Sequence, residues 1–488
     1  MIDYPELANE TLVIGAVVLL FSIYLLSFLF NSRPKNAPPY AHIGLPVIGN
    51  YIEFASNPVD FIAKCQKKFG NIYTVPMMHK KLTFLLGPEV SSPFFLQKDD
   101  VMSQSEVYKF MTPVFGNNVV YDADIPHRLQ QMQHMATGLQ SRSLDSYVPK
   151  IEKETLEYLE KWGDEGEVDI LSALSELTIL TSSRCLHGDD VREELFEDVA
   201  RIYHDLDKGV TPLSFFFPYA PTAAHAARDN ARKEMVEIFS KVIRTRREKI
   251  AKGEYQGDRT DILQVFMDLK YKDKTTLTED EIVGLLIALL FAGQHTSSIT
   301  STWTTMFLLH NPKCLEKVIE EQKQVMKDLK KPLTRELVQD MDYLRSAIKE
   351  SLRMHPPLIM LMRQAMCDVA TTMDGENYTI PKGDIVVTSP AVASRMESVF
   401  PEPDVFKPER FSVDNEKALQ KFAFLGFGGG RHACMGQTFG LLQVATIVSI
   451  LLRKYELFTD ETQLPDPDYE AMVVGPKNRC TVRYKRRV

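Results

Sequence analysis

Two long apolar stretches dominate the hydrophobic pattern, and they differ in what surrounds them. Residues 11–30 are uncharged and numerous enough to cross a bilayer as one helix. Asp3, Glu6 and Glu10 precede them, while Arg33 and Lys35 follow. The positive-inside rule then predicts a lumenal N-terminus and a cytoplasmic remainder. A cleaved secretory signal is the rival reading, but it needs a basic n-region and a small-residue cleavage site, and neither is present. The second stretch is residues 282–309. Its first eleven residues carry no charge, which predicts a helix buried on all sides. Gly293, Gln294, His295, Thr296, Ser297 and Ser298 interrupt it, and acidic residues stand just before it, so a second membrane span is disfavoured. Ala288, Ala292 and Thr296 recur every four residues, share a face, and leave room beside it for a ligand.

Shorter patterns fill in the rest. Pro34, Pro38, Pro39, Gly44, Pro46 and Gly49 make a stiff, non-helical connector. A helix is expected from Asn57, its N-cap, with Pro58 at the first position, to about Gly70. Residues 72–75 and 82–86 alternate like strands divided by a polar turn. A second strand region lies near residues 378–387, and residues 435–452 form a further apolar helical run. The expected fold class is therefore mainly α with small β-sheets. Residues 1–32 would be an anchor, 33–50 the connector, and 51–488 one large domain. The 488-residue length allows a substantial core. A net charge of −8 offers nothing to nucleic acid. Six cysteines lie far apart without a CxxC pair, as expected of reduced thiols facing the cytosol.

The chemistry concentrates at Phe427-Gly-Gly-Gly-Arg-His-Ala-Cys-Met-Gly436. Glycines let backbone approach a flat ligand, because they lack Cβ and tolerate positive φ. A cysteine at a helix start feels the positive end of the dipole, which favours the thiolate. Alone, this segment reads equally as a glycine turn before a structural cysteine. The spacing of Phe427, Gly430, Cys434 and Gly436, however, resembles the haem-binding loop of the cytochrome P-450 family, with Gly428 and His432 inside it. That resemblance implies a single haem-thiolate fold following one transmembrane helix. It also implies haem b with Cys434 as the axial iron ligand.

Further motifs resemble sterol 14α-demethylases within that family, from about residue 33 to the end. The aromatic loop at residues 108–122 is similar to theirs. By that likeness Tyr108 and Tyr121 bind haem propionates, while Phe110, Met111 and Phe115 face substrate. The run Ala292-Gly-Gln-His-Thr296 resembles the oxygen-activation motif, in which Thr296 donates or relays a hydrogen bond to dioxygen. His295 stands where other members place an acid, and histidine titrates near neutral pH. Tyr203-His-Asp-Leu-Asp207 resembles a substrate-recognition segment and implies Asp205 as the carboxylate partner of His295. Glu350 and Arg353 share a helix face, and Arg410 completes the family's structural triad. Arg363 matches a propionate-binding arginine. Leu358, Met360 and Met362 alternate at strand spacing as one pocket wall, and Met472 and Val473 match the last substrate loop.

Three positions depart from the family. Gln130 to His134 stand where many relatives carry a propionate lysine, leaving Arg128 or His134 as substitutes. Ser394 replaces a common histidine, and Ala433 a frequent arginine. The resemblance implies a monooxygenase of the endoplasmic reticulum membrane that removes a sterol 14α-methyl group. It would draw NADPH electrons through a flavoprotein reductase and consume dioxygen. Phe110 is the bulky aromatic that in relatives accompanies C4-monomethyl, obtusifoliol-like sterols. A hydroxylase of another lipid or xenobiotic would share only the cysteine loop. A non-catalytic sterol carrier would need neither Cys434 nor Thr296.

Overall fold

Glu279–His310 is one helix of 32 residues, and its N-terminus explains where it starts. The Glu281 amide donates to Thr278 Oγ1 at 3.2 Å, and Glu281 Oε2 accepts from the Thr278 amide at 2.8 Å. This reciprocal box satisfies two otherwise orphaned groups. The computed structural model describes residues 33–41, 49–77, 80–194, 196–255, 257 and 261–487. The expected membrane helix at residues 11–30 lies outside the described residues. The central helix is itself long and apolar enough to cross a membrane, but 72% of its most apolar window is buried within the protein. It is a core helix. Ile170–Ser182 and Gln437–Lys454 pack against it, and Ala223–Ala251 crosses it. Apolar side chains from all four belong to the main hydrophobic cluster.

Sheet is local. The largest sheet runs in the order Ile72–Met77, Lys80–Leu85, Ile385–Thr388, Leu361–Ala365, Met102–Ser103. The strand region expected near residues 378–387 divides between two sheets. Glu376–Ile380 pairs with Val369–Met373, whereas Ile385–Thr388 joins the larger sheet. Met102 pairs with Ala365 and Ser103 with Gln364, after which the chain turns into the helix Ser105–Tyr108. That pairing brings Tyr108 beside Arg363. The helix Pro58–Phe69 is capped as expected: Asn57 accepts from the Asp60 amide, and Gly70 takes φ 82 at its end.

The connector's first residue is tied down. Arg33 Nη2 lies 3.0 Å from Asp384 Oδ2 and 3.1 Å from Thr74 Oγ1, and its guanidinium stacks over Tyr40. A nearly buried pair joined to threonine hydroxyls holds a defined geometry, unlike a surface ion pair.

Candidate functional site

The cysteine loop rides on the helix Gln437–Lys454, which begins three residues after Cys434. A Cβ on Gly440 would sit 4.0 Å from Ser297 Oγ. The loop and the Ala292–Thr296 turn of the central helix therefore lie towards one end of a shared helix contact. Ala292 is exposed and Thr296 half-buried, although the helix is buried on either side. The small-residue face is open at Ala292 and Thr296, whereas Ala288, one turn earlier, is buried.

Within the loop the Cys434 amide donates to Phe427 O at 2.9 Å. Cys434 is exposed, yet enough chain surrounds its sulfur for burial to push the thiol up, and the Gly436 amide pulls it back only in part. The helix start alone does not yield a thiolate here. A bound cation would, since a coordinating thiol is deprotonated outright. Gly430 has φ 64, and a Cβ there would stand 2.1 Å from the Phe95 carbonyl oxygen. Gly430→Ala is thus expected to cost at least about 1–3 kcal/mol of overpacking beyond the left-handed penalty of roughly 1–2 kcal/mol. Gly375→Ala, at φ 81 with nothing within 4 Å of its Cβ, isolates the backbone penalty. Thermal unfolding of the two variants checks the difference, and equal losses would contradict the close approach.

A cationic edge faces the loop. Arg363 is 2% exposed, its guanidinium 4.6 Å over the Phe94 ring. Burial lowers its pKa to about 10, with Asp99 and Tyr108 opposing, and its Nη1 has no partner among the described residues. Arg128, buried on the helix Ile125–Thr137, places Nη2 3.0 Å from Asp99 Oδ2. His432 Nε2 is 3.1 Å from Asp99 Oδ1. Burial pushes the Asp99 carboxyl up, but His432 and Arg128 outweigh it and hold it below the usual range. Sequence reading missed Asp99, because nothing marks the Lys-Asp-Asp turn that carries it. Of the two candidates the sequence leaves open, Arg128 is the one beside Asp99. His134 stands six residues, roughly 9 Å, further along the helix axis.

The aromatic loop closes this edge. Tyr108 and Tyr121 stack with centroids 5.1 Å apart, and Phe115 meets both Tyr121 and Phe291. Phe110 is buried, edge-on to Phe215 at 5.8 Å, while Met111 is half-buried against the main cluster. The loop lies directly on the central helix: a Cβ on Gly284 would come within 2.1 Å of the Phe115 carbonyl oxygen.

The expected partner of His295 is corrected. Asp207, not Asp205, stands 3.1 Å from His295 Nε2 through Oδ1. Both acids are on the helix Phe196–Lys208, and at about 100° per residue they point some 200° apart. Tyr203, whose ring lies 5.7 Å from that of His295, precedes Asp207 by four residues and so shares its face. Helical phase from Tyr203 was the available signal. Thr296 Oγ1 donates to the Ala292 carbonyl at 2.7 Å, one turn back along the open face.

Glu350 and Arg353 are fully buried and bidentate, at 2.7 and 2.9 Å. Arg410 Nε lies 3.3 Å from the same carboxylate. Arg353 Nη1 also donates to the Ser394 carbonyl at 2.9 Å. That contact uses backbone, so the side chain at 394 is immaterial to it. The three residues of the expected apolar wall do not share one strand. The strand begins at Leu361, so Leu358 precedes the alternation and is exposed. Met362 is buried with Val107 and Val387, and Met360 packs against the same cluster. Both pack on the sheet's own core. Met472 and Val473 are half-buried in a turn whose next amide, Val474, donates to Pro357 O at 2.8 Å.

Comparison with known proteins follows the same lines. The sequence pattern of the cytochrome P450 family matches residues 38–483. Sterol 14-demethylase of Arabidopsis thaliana is 44% identical over 485 residues, covering 99% of this chain and 98% of the relative. Obtusifoliol 14-alpha demethylase of Sorghum bicolor is 44% identical over 492 residues, with the same two coverages of 99% and 98%. Lanosterol 14-alpha demethylase of Homo sapiens is 39% identical over 453 residues, covering 92% and 87% respectively. Among solved structures, retinoic acid bound cyanobacterial CYP120A1 superposes with a TM-score of 0.80 at 24% identity, over 94% of this chain and 100% of that one. That last likeness is one of fold.

Proposed function

The chain belongs to the cytochrome P450 family, and from that premise we propose that it is a haem-dependent sterol 14α-demethylase preferring C4-monomethyl substrates. The observation that carries the reading is the pair His295–Asp207, 3.1 Å apart and directly beside Thr296. It stands in a chain 44% identical over almost its full length to sterol and obtusifoliol demethylases. Three successive oxygenations, each using one dioxygen and two electrons, take the methyl group to alcohol, to aldehyde and then to formate, leaving a 14,15 double bond.

The residues present fit haem. Arg363 carries a buried guanidinium nitrogen without an acceptor, and Arg128 and His432 converge on the same edge. Guanidinium suits a carboxylate through charge-assisted hydrogen bonds. Tyr108 and Tyr121 would add phenol donors to the propionates, and Cys434 would hold the iron. When bound, haem supplies the redox chemistry that activates dioxygen towards an unactivated C–H bond.

The chain's own part is positioning and proton supply. His295 sits between the partly exposed Asp207 carboxylate and the open helix face, so it can take a proton from the solvent side and deliver it next to the Thr296 hydroxyl. The Thr296 proton is engaged by the Ala292 carbonyl, which leaves the hydroxyl oxygen's lone pairs free to accept. The apolar walls orient the sterol, and orientation decides which carbon reacts. A single-pass anchor at residues 11–30, an endoplasmic reticulum location and an NADPH-dependent flavoprotein reductase complete the proposal.

Phe110 sets the expected preference. Its ring is backed by Phe215 and Tyr108, so it cannot swing away cheaply to admit a second C4 methyl. Phe110→Leu should raise lanosterol turnover relative to obtusifoliol by about 10-fold or more, the usual worth of one methyl group in an apolar pocket. Formate release from the paired sterols with reductase and NADPH measures both points. Faster lanosterol turnover by the unaltered protein would refute the preference, and no formate from either sterol would refute the activity.

A further inference from the structure

The tyrosine at the cofactor edge is carried by an improbable turn. Asn118 and Val120 both adopt left-handed backbone, at φ 58 and φ 45. Asparagine tolerates that region, but a β-branched residue there is a genuine outlier that must be held by its surroundings. Tyr121 follows immediately, stacked on Tyr108.

What holds the turn is one side-chain amide. Gln131, on the helix Ile125–Thr137, is completely buried. Its Oε1 accepts from the Val120 amide at 3.0 Å. Its Nε2 donates to the Asn118 carbonyl at 2.8 Å and to the Tyr271 hydroxyl at 3.0 Å. Both N–H groups and the carbonyl are therefore used, and they grip the turn at its two left-handed residues, through the Asn118 carbonyl and the Val120 amide. The surroundings reinforce the grip. Asp122 Oδ2 accepts from the Asn118 amide at 2.9 Å, Tyr271 is buried edge-on to His127, and Gln130 Oε1 accepts from the Lys272 amide at 2.8 Å. A fully satisfied buried amide specifies one geometry, because any other loop conformation would leave its polar atoms unpaired.

We propose that Gln131 is a positioning residue, which locks the turn at residues 118–120 and so holds Tyr121 at the haem edge. The inference rests on the reading of Tyr121 as a haem contact. It also gives a use to a departure noted in the sequence: in the helix segment where many relatives carry a propionate lysine, Gln131 spends its amide on the loop. Its support for the cofactor passes through Tyr121.

The test is a double-mutant cycle on haem loss from the holoprotein into excess apomyoglobin. Gln131→Leu should speed loss by about tenfold, the scale of stranding buried polar groups. In a Tyr121→Phe background the same substitution should add less than about twofold, because its effect passes through Tyr121. Val120→Gly should restore most of the Gln131→Leu loss, since glycine takes positive φ without strain; a general packing defect would not be repaired this way. That double variant also serves if Gln131→Leu alone fails to fold. A full tenfold effect persisting in Tyr121→Phe, or no rescue by Val120→Gly, overturns the inference. If Tyr121→Phe speeds haem loss but Gln131→Leu does not, only the role of Gln131 fails. If Tyr121→Phe itself changes nothing, the reading of Tyr121 fails, and the inference with it.

Discussion

Replacing Cys434 with serine is expected to abolish the red-shifted Soret band of the reduced, CO-bound protein and to lower formate release by at least about three orders of magnitude. A loss of that size corresponds to about 4 kcal/mol of transition-state stabilisation. The reasoning starts from the sulfur's surroundings. Burial pushes the thiol up and a single amide, Gly436, opposes it, with no cation among the described residues adding to that pull. The charge would be stabilised by the iron, and the electron density it returns favours O–O cleavage. A hydroxyl keeps the size but not that donation. Cys434→His is the useful companion, because imidazole can hold haem iron without the thiolate band. Should either variant keep the red-shifted band, another residue must supply the ligand.

Asp207→Asn is expected to divert most reducing equivalents to peroxide, lowering the formate formed per NADPH by about tenfold or more. Asp205→Asn should stay within about twofold of the unaltered protein. Positioned proton-transfer groups commonly contribute 10²–10⁴-fold, and a short relay removes only part of that when one member is neutralised. The contrast follows from helical phase, since Asp207 reaches His295 and Asp205 points to the other side of the same helix. If Asp205→Asn were the uncoupled variant, the relay drawn from the static geometry would be wrong.

The motifs that were legible are those whose chemistry sits in one contiguous stretch. Cys434 with its glycines, and Thr296 beside His295, could be placed because spacing along a single element fixes which side chains share a face. Reading weakened as soon as a contact depended on two elements meeting. Asp205 and Asp207 are two residues apart in one motif, and choosing between them required knowing which face of the helix meets the central one. Leu358, Met360 and Met362 alternate as a strand would, but the strand starts only at Leu361, and the sheet buries Met362 within its own cluster. The glutamine-rich segment looked like a missing lysine until the turn it clamps was visible.

By itself, the sequence determined the helical class, the buried central helix, the glycine-flanked thiol, the histidine beside Thr296 and the resemblance to sterol demethylases. These follow from local periodicity, charge and residue chemistry, which act over a few neighbouring positions. Only the tertiary structure decided that Asp207 faces His295, that Asp99 joins Arg128 to His432, and that Gln131 holds the turn before Tyr121. Those contacts join segments between 11 and 333 residues apart. Their geometry is set by how helices and strands pack, and no local preference along the chain encodes it.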